Sequence, residues 1–132
     1  MIRRRSVLAA ISAAALLASP AVRAQQPVEI QFWHAMGGQL GDTVAKLADD
    51  FNKSQSAYKV NAIYKGTYTE AMTGAIAAYR AKQHPHIVQV FEVGTATMMA
   101  AKGAVYPVYQ LMADTGEPFN PKDYIGAVYG YY

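Results

Sequence analysis

The chain has no cysteine, a single tryptophan and only three histidines in 132 residues. Without cysteine there are neither disulfides nor thiolate metal sites, and the fold has to be held by its core alone. Enzyme signatures are equally scarce. There is no G-x-S-x-G elbow, no H-E-x-x-H and no P-loop, and the stretch MGGQLGD from Met36 is not the dinucleotide fingerprint G-x-G-x-x-G. The apolar, alanine-rich run from Val7 to Ala18 falls short of the roughly 18 residues that a membrane span needs, and Pro20 interrupts it.

What is present begins with a leader. Arg3, Arg4 and Arg5 precede that apolar run, and the small residues around Val22-Arg23-Ala24 suit a signal peptidase. Residues 1–24 therefore read as a secretory signal peptide cleaved after about Ala24, with the periplasm as destination; the arginines suit the Sec and the twin-arginine route alike. Four of the twelve cations (Arg3, Arg4, Arg5, Arg23) lie in this segment, leaving eight against nine acidic residues and a net charge of −1. The basic balance of the whole chain is thus a targeting signal, and nothing in the remainder attracts nucleic acid or an acidic membrane surface. The 108 residues after Ala24 are enough for one small domain, and the ending GAVYGYY reads as a cut through a structured segment.

Beyond the leader, short apolar runs alternate with helical patterns. Val28, Ile30 and Phe32 have the period of two of a strand, and Leu40, Val44, Leu47 and Phe51 then form a helical stripe with Lys46, Asp49 and Asp50 facing water. YKVNAIYKG is a second strand ended by Gly66. A second helix follows, with Thr67 and Glu70 spaced as a capping box and Met72, Ile76 and Tyr79 as its apolar stripe. IVQVFE, from Ile87 to Glu92, reads as a third strand and TATMMAAKG as a short helix stopped by Gly103. From Val105 onward, turn signals at Pro107, Gly116, Pro118 and Pro121 suggest a looser surface segment with a short helix over Pro121–Tyr124. Three strand–helix units in about 75 residues make an α/β class with a mainly parallel sheet and flanking helices.

Ligands of such sheets sit beyond the carboxyl ends of the strands. That rule selects Trp33 and His34 after the first strand, Tyr64, Lys65 and Tyr68 after the second, and Glu92 after the third. A carboxylate there can accept two hydroxyl hydrogen bonds from a ligand, but ahead of a helix it also stabilises the positive helix end, and spacing alone leaves both readings standing. Tyr68 reads equally as a packing residue of a first helical turn. Trp33 and His34 are a core aromatic and a hydrogen-bonded histidine, or the wall of a cleft; Lys65 reads as a solvated strand end, and Met98 and Met99 as helix fillers. His84 and His86, two residues apart in a loop, are weak evidence for a metal, and neither metal nor cofactor is expected.

The segments IQFWHAMGGQLGDTVAKLADDFN, YKGTYTEAMTGAIAAYRA and QVFEVGTATMMAAKGAVYPVYQL resemble the N-terminal part of the periplasmic sn-glycerol-3-phosphate-binding proteins of bacterial ABC importers, from about Val28 through Tyr132. The resemblance implies a periplasmic-binding-protein-like (type II) N-terminal lobe over residues 25–132, incomplete because the second lobe is absent. It also implies capture of sn-glycerol-3-phosphate or a glycerophosphodiester, delivery to permease subunits in the inner membrane, a monomer when full length, and no catalysis. Tyr68 and Glu92 match the family's ligand-lining tyrosine and glutamate; the phosphate would be met by hydroxyls, amides and an arginine from further along the family's chain. Two rivals remain: a receptor for a neutral oligosaccharide, and an exported glycerophosphodiester hydrolase with Glu92 or His34 as general base.

Overall fold

The computed structural model describes residues 26–130. The leader expected over residues 1–24 and the last two tyrosines lie outside them. Strand β1 (Val28–His34) leads to helix α1 (Gly38–Ser54), β2 (Tyr58–Tyr64), α2 (Tyr68–Arg80), β3 (Ile87–Val88), α3 (Glu92–Ala100), α4 (Val108–Thr115), a 3-10 turn (Pro121–Asp123) and α5 (Gly126–Tyr129). The class is α/β, as expected. All strand pairs are parallel, in the order β2-β1-β3.

Local chemistry accounts for these boundaries. Gly66 turns with φ 83°, a left-handed value that disfavours a side chain, and an added Cβ would strike the Glu70 carboxylate. The expected capping box forms there: Glu70 accepts from the Thr67 N–H at 2.7 Å and the Glu70 N–H donates to the Thr67 hydroxyl at 3.3 Å. Helix α4, which the turn signals obscured, starts behind Pro107 and stops at Gly116, whose φ of 75° permits hydrogen bonds back to Ala113 and, from Glu117, to Met112.

The strands differ in how they are joined. β1 pairs with β2 over seven positions, from Val28 with Tyr58 to His34 with Tyr64. β3 was expected to run through Glu92, yet only Ile87 and Val88 pair, with Phe32 and Trp33. Side chains take over the ladder on either side. The Gln31 N–H donates to His86 Nδ1 at 3.0 Å, and the Ala35 N–H donates to Gln89 Oε1 at 3.0 Å, while the Gln89 N–H donates to Trp33 O at 2.8 Å. The chain then turns into α3 with Glu92 as its first residue rather than as the end of a strand.

With the order β2-β1-β3, the right-handed rule for parallel crossovers puts α1 and α2 on opposite faces of the sheet. Small residues make the helix contacts. In α2 the fully covered positions are Ala71 and Ala75, whereas the expected Met72 and Ile76 are half-buried and Tyr79 is exposed, stacked on His84. In α1 the covered side runs through Gly41, Val44, Ala48 and Asn52. The expected core stripe is displaced: Leu40 and Leu47 are 62% and 63% exposed, and Phe51 is exposed too. A spacing of three and four identifies an apolar face but not what covers it. Lys46, Asp49 and Asp50 lie on the exposed side, as expected, and there Lys46 pairs with Asp50 and Lys53 with Asp49. Met99 is also exposed rather than packed.

Candidate functional site

The order β2-β1-β3 puts the topological switch point between β1 and β3, and in open parallel sheets the ligand crevice lies beyond the carboxyl ends there. Two helix starts face this edge. Tyr68 is the first residue of α2 and Glu92 the first of α3. Their elements meet: the Tyr68 ring stacks on Phe91, the residue before Glu92, with centroids 5.1 Å apart. Tyr68 is 37% exposed and Glu92 is exposed, so neither oxygen function is sealed in the fold.

The close approach of α3 to α2 depends on Gly94. It is buried, and a Cβ there would come within 2.8 Å of Met72 Sδ and 2.9 Å of Val90 Cγ1. Helix α3 has no side-chain cap at Phe91, so Glu92 is the acidic group that meets its amino-terminal dipole. The carboxylate therefore stabilises the helix end and faces solvent at once.

The strand ends carry the remaining groups. His34 is buried, 5% exposed, with its ring between Phe32 at 5.6 Å and Tyr64 at 6.0 Å. The expected hydrogen bond to its ring is not made, since Nδ1 has no partner among the described residues. Trp33 projects to the opposite face, half-buried, and its indole Nε1 is likewise buried and unpartnered. Lys65 departs from the expected solvated strand end: it is half-buried, with Nζ 3.9 Å from the centre of the Trp33 ring. The two unpartnered nitrogens and the cation–π contact have no signal in the sequence beyond the residues' presence at strand ends.

The His84-Pro85-His86 tract has a structural use, because the His86 ring accepts the Gln31 N–H. A cavity of about 910 Å³ lies at the other end of the sheet, between Gln26–Val28, Asp49, Asn52 and Gln55–Lys59. Two of its amides are already engaged. Asn52 exchanges two hydrogen bonds with the Val60 backbone (2.9 and 2.7 Å), and Gln55 two with that of Tyr58 (2.8 and 2.8 Å). Those two side chains serve the β2 backbone, and the carboxyl rim remains the candidate site.

A parallel α/β sheet whose order reverses at its first strand, with polar groups collected at the carboxyl ends, is the architecture of part of a periplasmic-binding-protein-like lobe. No family model matches the chain. Individual relatives do. It is 44% identical over 112 residues to the sn-glycerol-3-phosphate-binding periplasmic protein UgpB of Rhizobium meliloti (strain 1021), covering 85% of this chain and 26% of the relative. The protein of the same name from Pectobacterium atrosepticum is 44% identical over 131 residues, 99% of this chain and 29% of the relative. That of Agrobacterium fabrum is 46% identical over 104 residues, 79% and 24%. The similarity to periplasmic sn-glycerol-3-phosphate-binding proteins read from the sequence thus extends over most of the chain, which spans about a quarter of the length of these curated relatives.

Proposed function

We propose that this chain supplies one lip of the substrate-binding component of an ABC importer, which captures sn-glycerol-3-phosphate in the periplasm and delivers it to a membrane permease. Residues 1–24 direct export, and residues 25–132 form the N-terminal part of a two-lobe receptor. The observation that carries the reading is the stacking of Tyr68 on Phe91, which gathers a phenol and the Glu92 carboxylate at the switch point of a sheet whose relatives are named for this ligand. Glu92 accepts hydrogen bonds from the glycerol hydroxyls, and Tyr68 donates its hydroxyl to the phosphoester. Trp33 and His34 form the wall behind them. Binding shifts an open–closed equilibrium, and no bond is broken.

Calorimetry with sn-glycerol-3-phosphate tests this. Saturable binding without release of glycerol is expected, and Glu92→Gln weakens it by about 1.5–3 kcal/mol, the scale of a hydrogen bond to a charged group. Affinity unchanged by Glu92→Gln would leave Glu92 only its helix-end role. Liberated glycerol or choline from a glycerophosphodiester would instead establish a hydrolase.

A further inference from the structure

The contact that brings Glu92 beside Tyr68 runs over a sulfur. Met72 lies one turn after Tyr68 on α2, and both side chains meet the start of α3: the Tyr68 ring stacks on Phe91, and Met72 Sδ fills the space that Gly94 leaves by having no side chain. A Cβ on Gly94 would stand 2.8 Å from Sδ, 2.9 Å from Val90 Cγ1 and 3.6 Å from Phe91 Cε1, so the sulfur shares this notch with a methyl group and a ring edge. The neighbouring donors are engaged. The Gly94 N–H and the Thr95 hydroxyl are both given to Phe91 O, at 2.9 and 3.5 Å.

Met72 is half-buried rather than sealed, which leaves its side chain within reach of a small oxidant. No thiol competes for that oxidant, because the chain has no cysteine. A thioether suits the notch because it is apolar and flexible. Its oxidised form does not.

Resting on the reading of Tyr68 and Glu92 given above, we propose that Met72 is an oxidation site whose state sets the affinity of the rim. Hydrogen peroxide transfers one oxygen to the thioether: the O–O bond breaks, an S–O bond forms, sulfur gives up two electrons and water leaves. The sulfoxide is larger and polar, and in this notch it meets Val90, the Phe91 ring and two donors already in use, so its dipole is buried without a partner. Moving α3 away from α2 relieves that burial. The same movement unstacks Phe91 from Tyr68 and carries Glu92 with it, and the phenol and the carboxylate no longer converge on one ligand.

The test compares the parent, Met72→Leu and Met99→Leu before and after hydrogen peroxide. Met99, 63% exposed, controls for oxidation away from the notch. Peptide mass spectrometry reads the sulfoxide at each methionine, amide hydrogen exchange reads residues 91–98, and calorimetry reads the affinity for sn-glycerol-3-phosphate. In the parent and in Met99→Leu, peroxide should raise exchange over residues 91–98 and weaken binding about threefold to tenfold, the worth of one displaced hydrogen bond. Met72→Leu keeps most of the apolar volume but has no sulfur there, and neither quantity should respond. Methionine sulfoxide reductases for both epimers, with a dithiol that becomes a disulfide as the oxygen leaves in water, should restore the parent. Peroxide that leaves Met72 unoxidised in the folded parent overturns the inference. So does a Met72 sulfoxide that leaves exchange, or a measurable affinity, unchanged, or a Met72→Leu form that responds as the parent does. The ligand reading fails separately: if the parent binds no sn-glycerol-3-phosphate while exchange over residues 91–98 rises only where Met72 is present, the oxidation-sensitive joint stands and the glycerol-phosphate assignment falls.

Discussion

The two ends of the sheet treat their polar groups in opposite ways. At the amino ends, Asn52 and Gln55 of α1 and its boundary give both their amide donors and acceptors to the backbone of β2, closing the edge of the outer strand. At the carboxyl ends, Trp33 Nε1 and His34 Nδ1 are buried without partners among the described residues, Lys65 is held by a ring rather than a carboxylate, and Glu92 is open to solvent. Buried polar groups are nearly always satisfied where only stability is at stake. One end of this sheet is organised to stay folded, and the other keeps capacity that the described residues do not use.

The largest effect expected of that contrast is at the amino end. Asn52→Ala removes two hydrogen bonds and leaves the N–H and C=O of Val60 without their partners, a loss of about 2 kcal/mol on the usual scale for part-buried groups. Urea unfolding should show it, while calorimetric binding of sn-glycerol-3-phosphate remains as in the parent. A variant that kept its stability but lost binding would erase the division of labour between the two ends.

A smaller effect belongs to the turn that joins β2 to the site. Thr67→Ala removes one half of the capping box and should cost about 1 kcal/mol in the same unfolding measurement. The Thr67 backbone N–H, and after it the Thr67 hydroxyl, hold the Glu70 carboxyl below its ordinary range. A carboxyl whose folded-state value is depressed contributes stability that is complete above its ordinary, unfolded value and disappears as pH falls through the depressed one. Unfolding followed on the acid side should therefore be steeper in the parent than in Glu70→Gln, which has no proton to gain. Equal slopes would mean that the Thr67 contacts do not favour the ionised Glu70 carboxyl in the folded state.

Much of this frame was legible in the sequence because its causes are local. Alternation in Val28–Phe32, the Thr67–Glu70 spacing and Gly66 each act within a few residues, and the elements they mark are present. The rest depends on which element lies opposite. The third strand shortened because Gln89 uses its side chain where a backbone group was expected, and the stripe of Leu40, Leu47 and Phe51 was displaced because Gly41, Ala48 and Asn52 allow α1 to approach on a neighbouring side. Helix α4 was masked by Pro107, which signals a break but also opens a helix. At the candidate site, strand-end positions were readable from the topology rule; the unpartnered nitrogens and the ring under Lys65 were not, since each depends on the absence or presence of a non-local neighbour.

His34 gives the finest test of the contrast, because here the expected change is close to zero. His34→Leu removes ring contacts to Phe32 and Tyr64, which are worth about 0.5–1.5 kcal/mol beyond area for an aromatic pair. It also removes a buried ring nitrogen that has no partner, whose desolvation costs a similar amount. The two contributions oppose each other, so the unfolding free energy should stay within about 1 kcal/mol of the parent, in contrast to Asn52→Ala at the other end of the sheet. A loss well above 2 kcal/mol would mean that the His34 nitrogen has an acceptor or donor in solution and that the carboxyl end is as fully satisfied as the amino end. A small change in stability accompanied by weaker binding of sn-glycerol-3-phosphate would place the idle nitrogen on the ligand's side of the sheet, in the wall behind Tyr68 and Glu92.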